Sequence, residues 1–75
     1  MPAHAFMRAD AFVLDLIDRT PVDGESLITP EGMAVDDFQL AAASAQAFES
    51  AGRIEILEER VSGPLILAIR FRRLT

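Results

Sequence analysis

The chain has 75 residues, of which 51% are hydrophobic, and its formal net charge is −5 at pH 7. We expect a single domain over residues 1–75. A chain of this length buries only about 60% of the surface of its unfolded form, so the high apolar content predicts a homo-oligomer or a protein partner that covers the remainder. The acidic charge argues against non-specific binding of polyanions, and the absence of cysteine excludes disulfides and cysteine-based metal sites.

No targeting segment is predicted from the N-terminal residues. Asp10 and Asp15 interrupt the apolar stretch that a signal peptide needs, and no segment reaches the ~20 apolar residues of a membrane span. We therefore expect a cytoplasmic protein without membrane association. The chain has arginine but no lysine, and alanine is abundant, a composition typical of GC-rich bacterial genomes.

A first helix is predicted over residues 6–19, where apolar side chains recur three or four positions apart. Pro21 disfavours a helical conformation in the residue before it, and the Asp23-Gly24 dipeptide is typical of a turn. We therefore expect a loop after the helix, followed by a short strand at Leu27-Ile28.

The central region, residues 30–51, has two interpretations. The tripeptide Thr29-Pro30-Glu31 is typical of a helix start, because threonine caps, proline fits the first helical position and glutamate suits the helix dipole. In the first interpretation, a short helix at about 30–35 is separated by a turn near Asp36 from a longer helix at 37–51. In the second, one uninterrupted helix spans the whole region.

The helix at 37–51 has one apolar face and one uncharged polar face. Asp36 and Asp37 suit its positive N-terminal end, and Gly52 is typical of the left-handed residue that follows a helix. The apolar face carries Phe38, Ala41, Ala45 and Phe48. The opposite face is either packed closely in the core or is a contact surface for a protein or a nucleic acid. It consists of Gln39, Ala43, Gln46 and Ser50.

A C-terminal β-hairpin is predicted, with strands at 53–60 and 65–74. Central turn residues Ser62 and Gly63 would bring apolar side chains together on one side and opposite charges together on the other. The resulting pairs are Ile54 with Phe71, Ile56 with Ile69, and Glu55 with Arg70. An apolar strip then remains on the charged side, either covered by the N-terminal helix or used as an oligomer contact. It consists of Leu57, Ile66 and Ala68.

Residues 48–54, with the sequence Phe-Glu-Ser-Ala-Gly-Arg-Ile, lead from the predicted helix into a strand, a glycine-containing turn and a second strand. This pattern resembles the recognition helix and wing of winged helix-turn-helix domains, with Phe48 in place of the leucine of that family. The resemblance covers residues 34–72 and implies that Asp37 is the N-cap of the recognition helix. It therefore favours a turn near Asp36, with two helices rather than one in the central region.

The resemblance implies a small winged-helix-like α+β domain that binds either protein or DNA. Residues 1–52 carry a net charge of −7 and residues 53–75 one of +2, so phosphate contacts would have to come from the C-terminal arginines. We therefore expect a non-enzymatic interaction protein that forms a homo-oligomer or docks on a protein partner. The alternative is a winged-helix DNA-binding transcriptional regulator that uses the central helix and the hairpin arginines. The candidate partner or DNA face consists of Gln39, Ala43, Gln46, Ser50, Arg53 and Arg60.

No catalytic site, cofactor or metal is predicted. The chain has one histidine and no cysteine, and none of its serines has a base nearby, so the sequence offers no nucleophile–base pair. Glu58 and Glu59 are adjacent strand residues whose side chains point to opposite faces, so they would not converge on a substrate. We therefore expect neither enzymatic activity nor a small-molecule substrate.

Overall fold

The computed structural model describes the backbone of residues 3–30 and 32–75 and the side chains of residues 9–30 and 32–75. The described residues form an α+β fold with two helices and a three-stranded antiparallel sheet. In the sheet β3 is central, with β1 at one edge and β2 at the other. The elements follow the order α1 (Ala3–Arg19), β1 (Glu25–Ile28), α2 (Val35–Ser50), β2 (Ile54–Ser62) and β3 (Leu65–Arg73).

The hydrophobic core lies between the sheet and the two helices. Strand residues alternate between the faces of a sheet, and the apolar members of one set, Ile28, Ile54, Ile69 and Phe71, are buried. We call this side the inner face of the sheet and the opposite side the outer face. The helices contribute the other members of the core cluster, which are Val13, Ile17, Phe38, Ala41, Ala42 and Ala45.

Helix α1 contains the predicted helix 6–19 and begins earlier, at Ala3. Its C-terminal end is closed by a buried threonine, which follows the last helical residue. The Thr20 hydroxyl donates to the Leu16 carbonyl over 2.7 Å and shares a further hydrogen bond of 2.7 Å with the Ser26 hydroxyl of β1. These bonds satisfy a carbonyl at the helix end and join it to the first strand.

The helix predicted at about 30–35 is wrong, because the described residues of this segment form a turn. The Met33 amide donates to the Pro30 carbonyl over 2.9 Å, and Gly32 has a φ of +73°. A positive φ at the third position of a four-residue turn favours glycine and takes the chain out of the helical region. Glu31, part of the predicted helix start, lies outside the described residues. One uninterrupted helix through the whole region is excluded for the same reason.

Helix α2 starts slightly before the predicted helix 37–51, at Val35, and ends at Ser50. Asp36 and Asp37 lie in its first turn, where their charge suits the positive helix end. The N-cap position belongs to Ala34, which makes no side-chain capping bond, so the assignment of the N-cap to Asp37 is wrong. The turn at Gly32 moves the helix start towards the N-terminus of the chain.

The C-terminal end of α2 agrees with the sequence prediction. Gly52 has a φ of +78°, in the left-handed region. The Arg53 amide donates to the Phe48 carbonyl and the Gly52 amide to the Glu49 carbonyl, each over 3.0 Å. This pair of bonds is the Schellman motif, which satisfies the last carbonyls of a helix and directs the chain into the next element.

Small side chains allow α2 to pack on two sides at once. The predicted apolar face is confirmed, because Phe38, Ala41 and Ala45 are fully buried. Ser44 is also fully buried, and its hydroxyl donates to the Asp10 carboxylate of α1. α2 therefore contacts α1 on one side and the strands β2 and β3 on the other.

The predicted hairpin is formed by β2 and β3, but its predicted register is wrong by two residues. Ser62 lies opposite Leu65, so the central turn residues are Gly63 and Pro64. At Ile54 and Ile56 the shift of two residues leaves the side chains on their predicted face, so alternation alone could not distinguish the two registers there. At residues 58–60, between two bulges, the shift is three residues and the side-chain alternation changes. The observed pairs include Ile54 with Arg73, Glu55 with Arg72, and Ile56 with Phe71.

Strand β1 contains the predicted Leu27-Ile28 strand and pairs antiparallel with β3. Leu27 lies opposite Arg70 on the outer face, and Ile28 lies opposite Ile69 on the inner face. The pairing with β1 covers only residues 69–72 of β3. Residues 65–68 of β3 therefore extend beyond the end of β1.

Candidate interaction surface

Gln39, a member of the predicted partner face, is bonded to the sheet of its own chain. Its amide nitrogen donates to the Ile66 carbonyl over 2.9 Å, and its amide oxygen accepts from the Ile66 amide over 3.0 Å. Ile66 lies in the part of β3 that extends beyond β1, so the glutamine amide takes the place of a neighbouring strand there. Gln39 is half-buried, and both ends of its side-chain amide are bonded within the fold.

Two further side chains of α2 contact the edge strand β2. The Glu49 carboxylate accepts a hydrogen bond from the Ile56 backbone amide over 2.8 Å. The Gln46 amide donates to the Glu59 carboxylate over 3.0 Å, in an exposed contact. Side chains of α2 therefore hydrogen-bond backbone groups of β3 beyond the end of β1, through Gln39, and of the edge strand β2, through Glu49.

The remaining members of the predicted partner face do not form one surface. Ala43 and Ser50 are exposed on α2, and Arg53 is half-buried just after the helix. Arg60 lines a depression on the outer face of the sheet. Because α2 packs on the inner face, the structure does not bring Arg60 together with the exposed residues of the helix.

The predicted oligomer strip of Leu57, Ile66 and Ala68 is divided between the two faces of the sheet. Ile66 packs against the core from the inner face, whereas Ala68 lines the outer depression. A bulge inserts Leu67 as an extra residue between them and changes the side-chain alternation. Leu57 is the extra residue of a second bulge and is half-buried. The hairpin pattern could not predict these insertions, because they depend on the detailed pairing of the strands.

The outer face carries an apolar depression that sequence reasoning missed, with a volume of ≈310 Å³. Its apolar lining, which we call the outer apolar patch, consists of Leu27, Pro30, Leu67 and Ala68. The exposed fractions are 55% for Leu27 and 38% for Leu67. Alternation in β1 could have indicated that Leu27 faces away from Ile28, but the pairing of β1 with β3 brings in the rest of the patch.

Charged side chains of both signs surround the outer apolar patch. Arg70 and Glu25 form an ion pair with 3.3 Å between the guanidinium nitrogen and the carboxylate oxygen. Glu58 and Arg60 also line the depression, and neither forms an ion pair within the part of the chain that the structure describes. An apolar centre with a charged rim is the usual anatomy of a protein–protein contact surface.

The two layers of the molecule differ in charge. Among the described side chains, the exposed surface of the helices is acidic. α1 exposes Asp15 and Asp18 beside Arg19, and α2 exposes Asp36, Asp37 and Glu49 and contains no basic residue. The outer face of the sheet balances three acids against three arginines, which are Glu25, Glu55, Glu58, Arg60, Arg70 and Arg72.

Comparison of the chain with protein-family models, curated protein sequences and solved structures finds no match. Neither helix in the described part of the chain has the length and apolar character that a membrane crossing requires. Among the described side chains, those of residues 9–30 and 32–75, no group of three or more His, Cys, Asp and Glu residues is placed to hold a metal ion.

Proposed function

We propose that the chain is a small non-enzymatic interaction protein that self-associates or docks on a protein partner through the outer face of its sheet. The observation that carries this proposal is the outer apolar patch. The helices cover only the inner face and leave Leu27 and Leu67 in solvent. Exposed apolar surface enclosed by a charged rim is typical of protein interaction sites.

The proposal includes a winged-helix-like layout for the domain. The order helix, strand, helix and hairpin supports this layout, and so does the passage from α2 through Gly52 into β2. In this layout α2 corresponds to the recognition helix and the hairpin to the wing. The turn at Gly32 stands where the family has its second helix, so the proposal rests on the other elements.

DNA binding through α2 and the hairpin arginines is the competing function. The exposed surface of α2 opposes it, because this surface offers Asp36, Asp37 and Glu49 but no basic side chain. Nucleic-acid affinity comes largely from phosphates neutralised by arginine and lysine. The two glutamines that could read bases are already bonded within the chain.

Site-specific photocrosslinking tests the proposed surface. A photoreactive phenylalanine analogue replaces either Leu67, in the outer apolar patch, or Ala43, on the exposed surface of α2. Both side chains are exposed, so neither replacement disturbs the core. On irradiation in cells that express the variants, we expect a protein–protein crosslink at position 67, to a second copy or to another protein, and little or none at position 43.

Crosslinks confined to position 43, or crosslinks to DNA, would overturn the proposal. A titration of the unmodified protein with random duplex DNA at low salt provides the second measurement. Binding that weakens steeply as salt is added would favour the DNA-binding regulator, since phosphate contacts release counterions. We expect no such binding.

A further inference from the structure

An acid and a base lie two residues apart on the outer side of β2. Glu58 pairs in register with Arg70 and Arg60 with Ala68, and both side chains line the outer depression. The ion pairs of Arg70 and Arg72 already use Glu25 and Glu55, with separations of 3.3 Å and 3.2 Å. Glu58 and Arg60 have no such partner among the described residues.

We propose that the partner of the outer face is a second copy of this chain, packed face to face about a two-fold axis. The axis lies between the two sheets, perpendicular to the strands, at the level of residue 59. This rotation places β2 of one copy over β2 of the other in the opposite direction. Glu58 of each copy then lies over Arg60 of the other, so one contact forms twice, as symmetric dimers require. This inference rests on the proposed function, because it names the occupant of the same surface.

The charge distribution of the molecule favours this arrangement over other contacts between copies. Each chain carries a net charge of −5, and among the described side chains the exposed surface of the helices carries five acids against one arginine, Arg19. Two copies that approached through their helical layers would repel each other. The outer face has equal numbers of acids and arginines, so two outer faces can meet without net repulsion. Contact also removes the outer apolar patches of both copies from water.

Charge reversal at Glu58 and Arg60, followed by sedimentation equilibrium, tests the arrangement. We expect the wild-type chain, of 8.2 kDa, to form a dimer of twice that mass at high concentration. Glu58→Arg would place two arginines over each other, and Arg60→Glu two glutamates. Each single variant should therefore weaken the dimer by about tenfold or more, because like charges in a contact are costly. The double variant exchanges the two charges and should restore most of the affinity.

Asp18→Arg is the matched control. It changes the net charge by the same amount as Glu58→Arg, but Asp18 is an exposed residue of α1, away from the outer face of the sheet. We expect this control to leave the dimer intact. A monomeric wild-type chain, single variants that dimerise normally, or a double variant that fails to recover would each overturn the two-fold arrangement. The chain could also be monomeric in sedimentation and crosslink from position 67 to a different protein. That result would refute the proposal that the partner is a second copy, but it would support the proposed interaction function.

Discussion

Arg73 shows how the arginines of the hairpin are used within the fold. One terminal nitrogen of its guanidinium donates to the Ile17 carbonyl over 3.2 Å and to the Thr20 carbonyl over 2.9 Å, at the end of α1. A cation at this place also suits the negative end of the helix dipole. Arg73 is one of the C-terminal arginines that the sequence predicts as the source of any phosphate contacts. Its bonds instead join the last strand to the first helix.

Replacement of Arg73 by methionine should lower the free energy of unfolding by about 1–2 kcal/mol, because it leaves carbonyls at the end of α1 without their charged donor. Arg72→Met is the matched control, since it removes only the exposed ion pair with Glu55 and should cost less than about 1 kcal/mol. Urea unfolding of both variants at pH 7 measures the difference. Equal losses in the two variants would show that the contacts of Arg73 with α1 do not stabilise the fold.

The burial pattern of α2 follows from its small side chains. Ala41, Ala42 and Ala45 are buried against the neighbouring elements, while Ala43 in the same turn faces solvent. Periodicity predicted the side defined by Phe38 but not the burial of Ala42. A short alanine side chain is compatible with both core and surface, so composition alone does not orient such a helix.

Ala45→Glu and Ala43→Glu form a matched pair that tests the orientation of α2. Glutamate at position 45 would place a charge without a partner in a fully buried site, at a cost of at least about 3 kcal/mol. We expect this variant to lose most of its cooperative thermal transition, measured by circular dichroism. Glutamate at the exposed position 43 should change stability by less than about 0.5 kcal/mol. A stable Ala45→Glu variant would mean that the burial of this face is wrong.

Local pattern was sufficient to predict most of the layout of this molecule. The two longest helical segments, the stop at Gly52 and the hairpin all have signals within a few residues of chain. The prediction of a helix near residue 33 was wrong because the helix-start signal Thr29-Pro30-Glu31 is followed by Gly32, whose positive φ forms a turn. The predicted hairpin register was wrong because the central turn residues are Gly63 and Pro64 and not Ser62 and Gly63. The bulges at Leu57 and Leu67 were missed because they leave no local signal.

The candidate site was harder to predict than the fold because its parts are distant along the chain. Leu27 and Leu67 both line the depression only when β1 pairs with β3, and α2 and β2 separate these two strands along the chain, so no local pattern predicts the pairing. The sequence places Gln39 on a predicted partner face. Its bonds with Ile66 could not be predicted, because they form only when α2 packs on the sheet. Helical periodicity indicates which side of a helix is polar, but it does not show whether those polar side chains form hydrogen bonds within the same chain.

The edges of the sheet bear on the proposed association between copies of the chain. Exposed backbone amides and carbonyls at a sheet edge invite pairing with another strand. Gln39 bonds both backbone groups of Ile66 beyond the end of β1, and Glu49 bonds the Ile56 amide on the opposite edge. Two side chains of one helix therefore occupy positions where a strand of another chain would bind. This arrangement favours association through the outer face over extension of the sheet.

The double variant Gln39→Leu/Glu49→Leu removes both of these contacts and should expose the two edges. Loss of the Gln39 bonds to partly buried backbone groups should lower the free energy of unfolding by about 1–2 kcal/mol. We also expect slow growth of β-rich aggregates, detected by thioflavin T fluorescence. Gln46→Leu is the control, because it removes only an exposed contact between side chains. If the double variant stays as soluble as this control, the side chains of α2 do not protect the sheet edges, and strand pairing between copies becomes the better model of association.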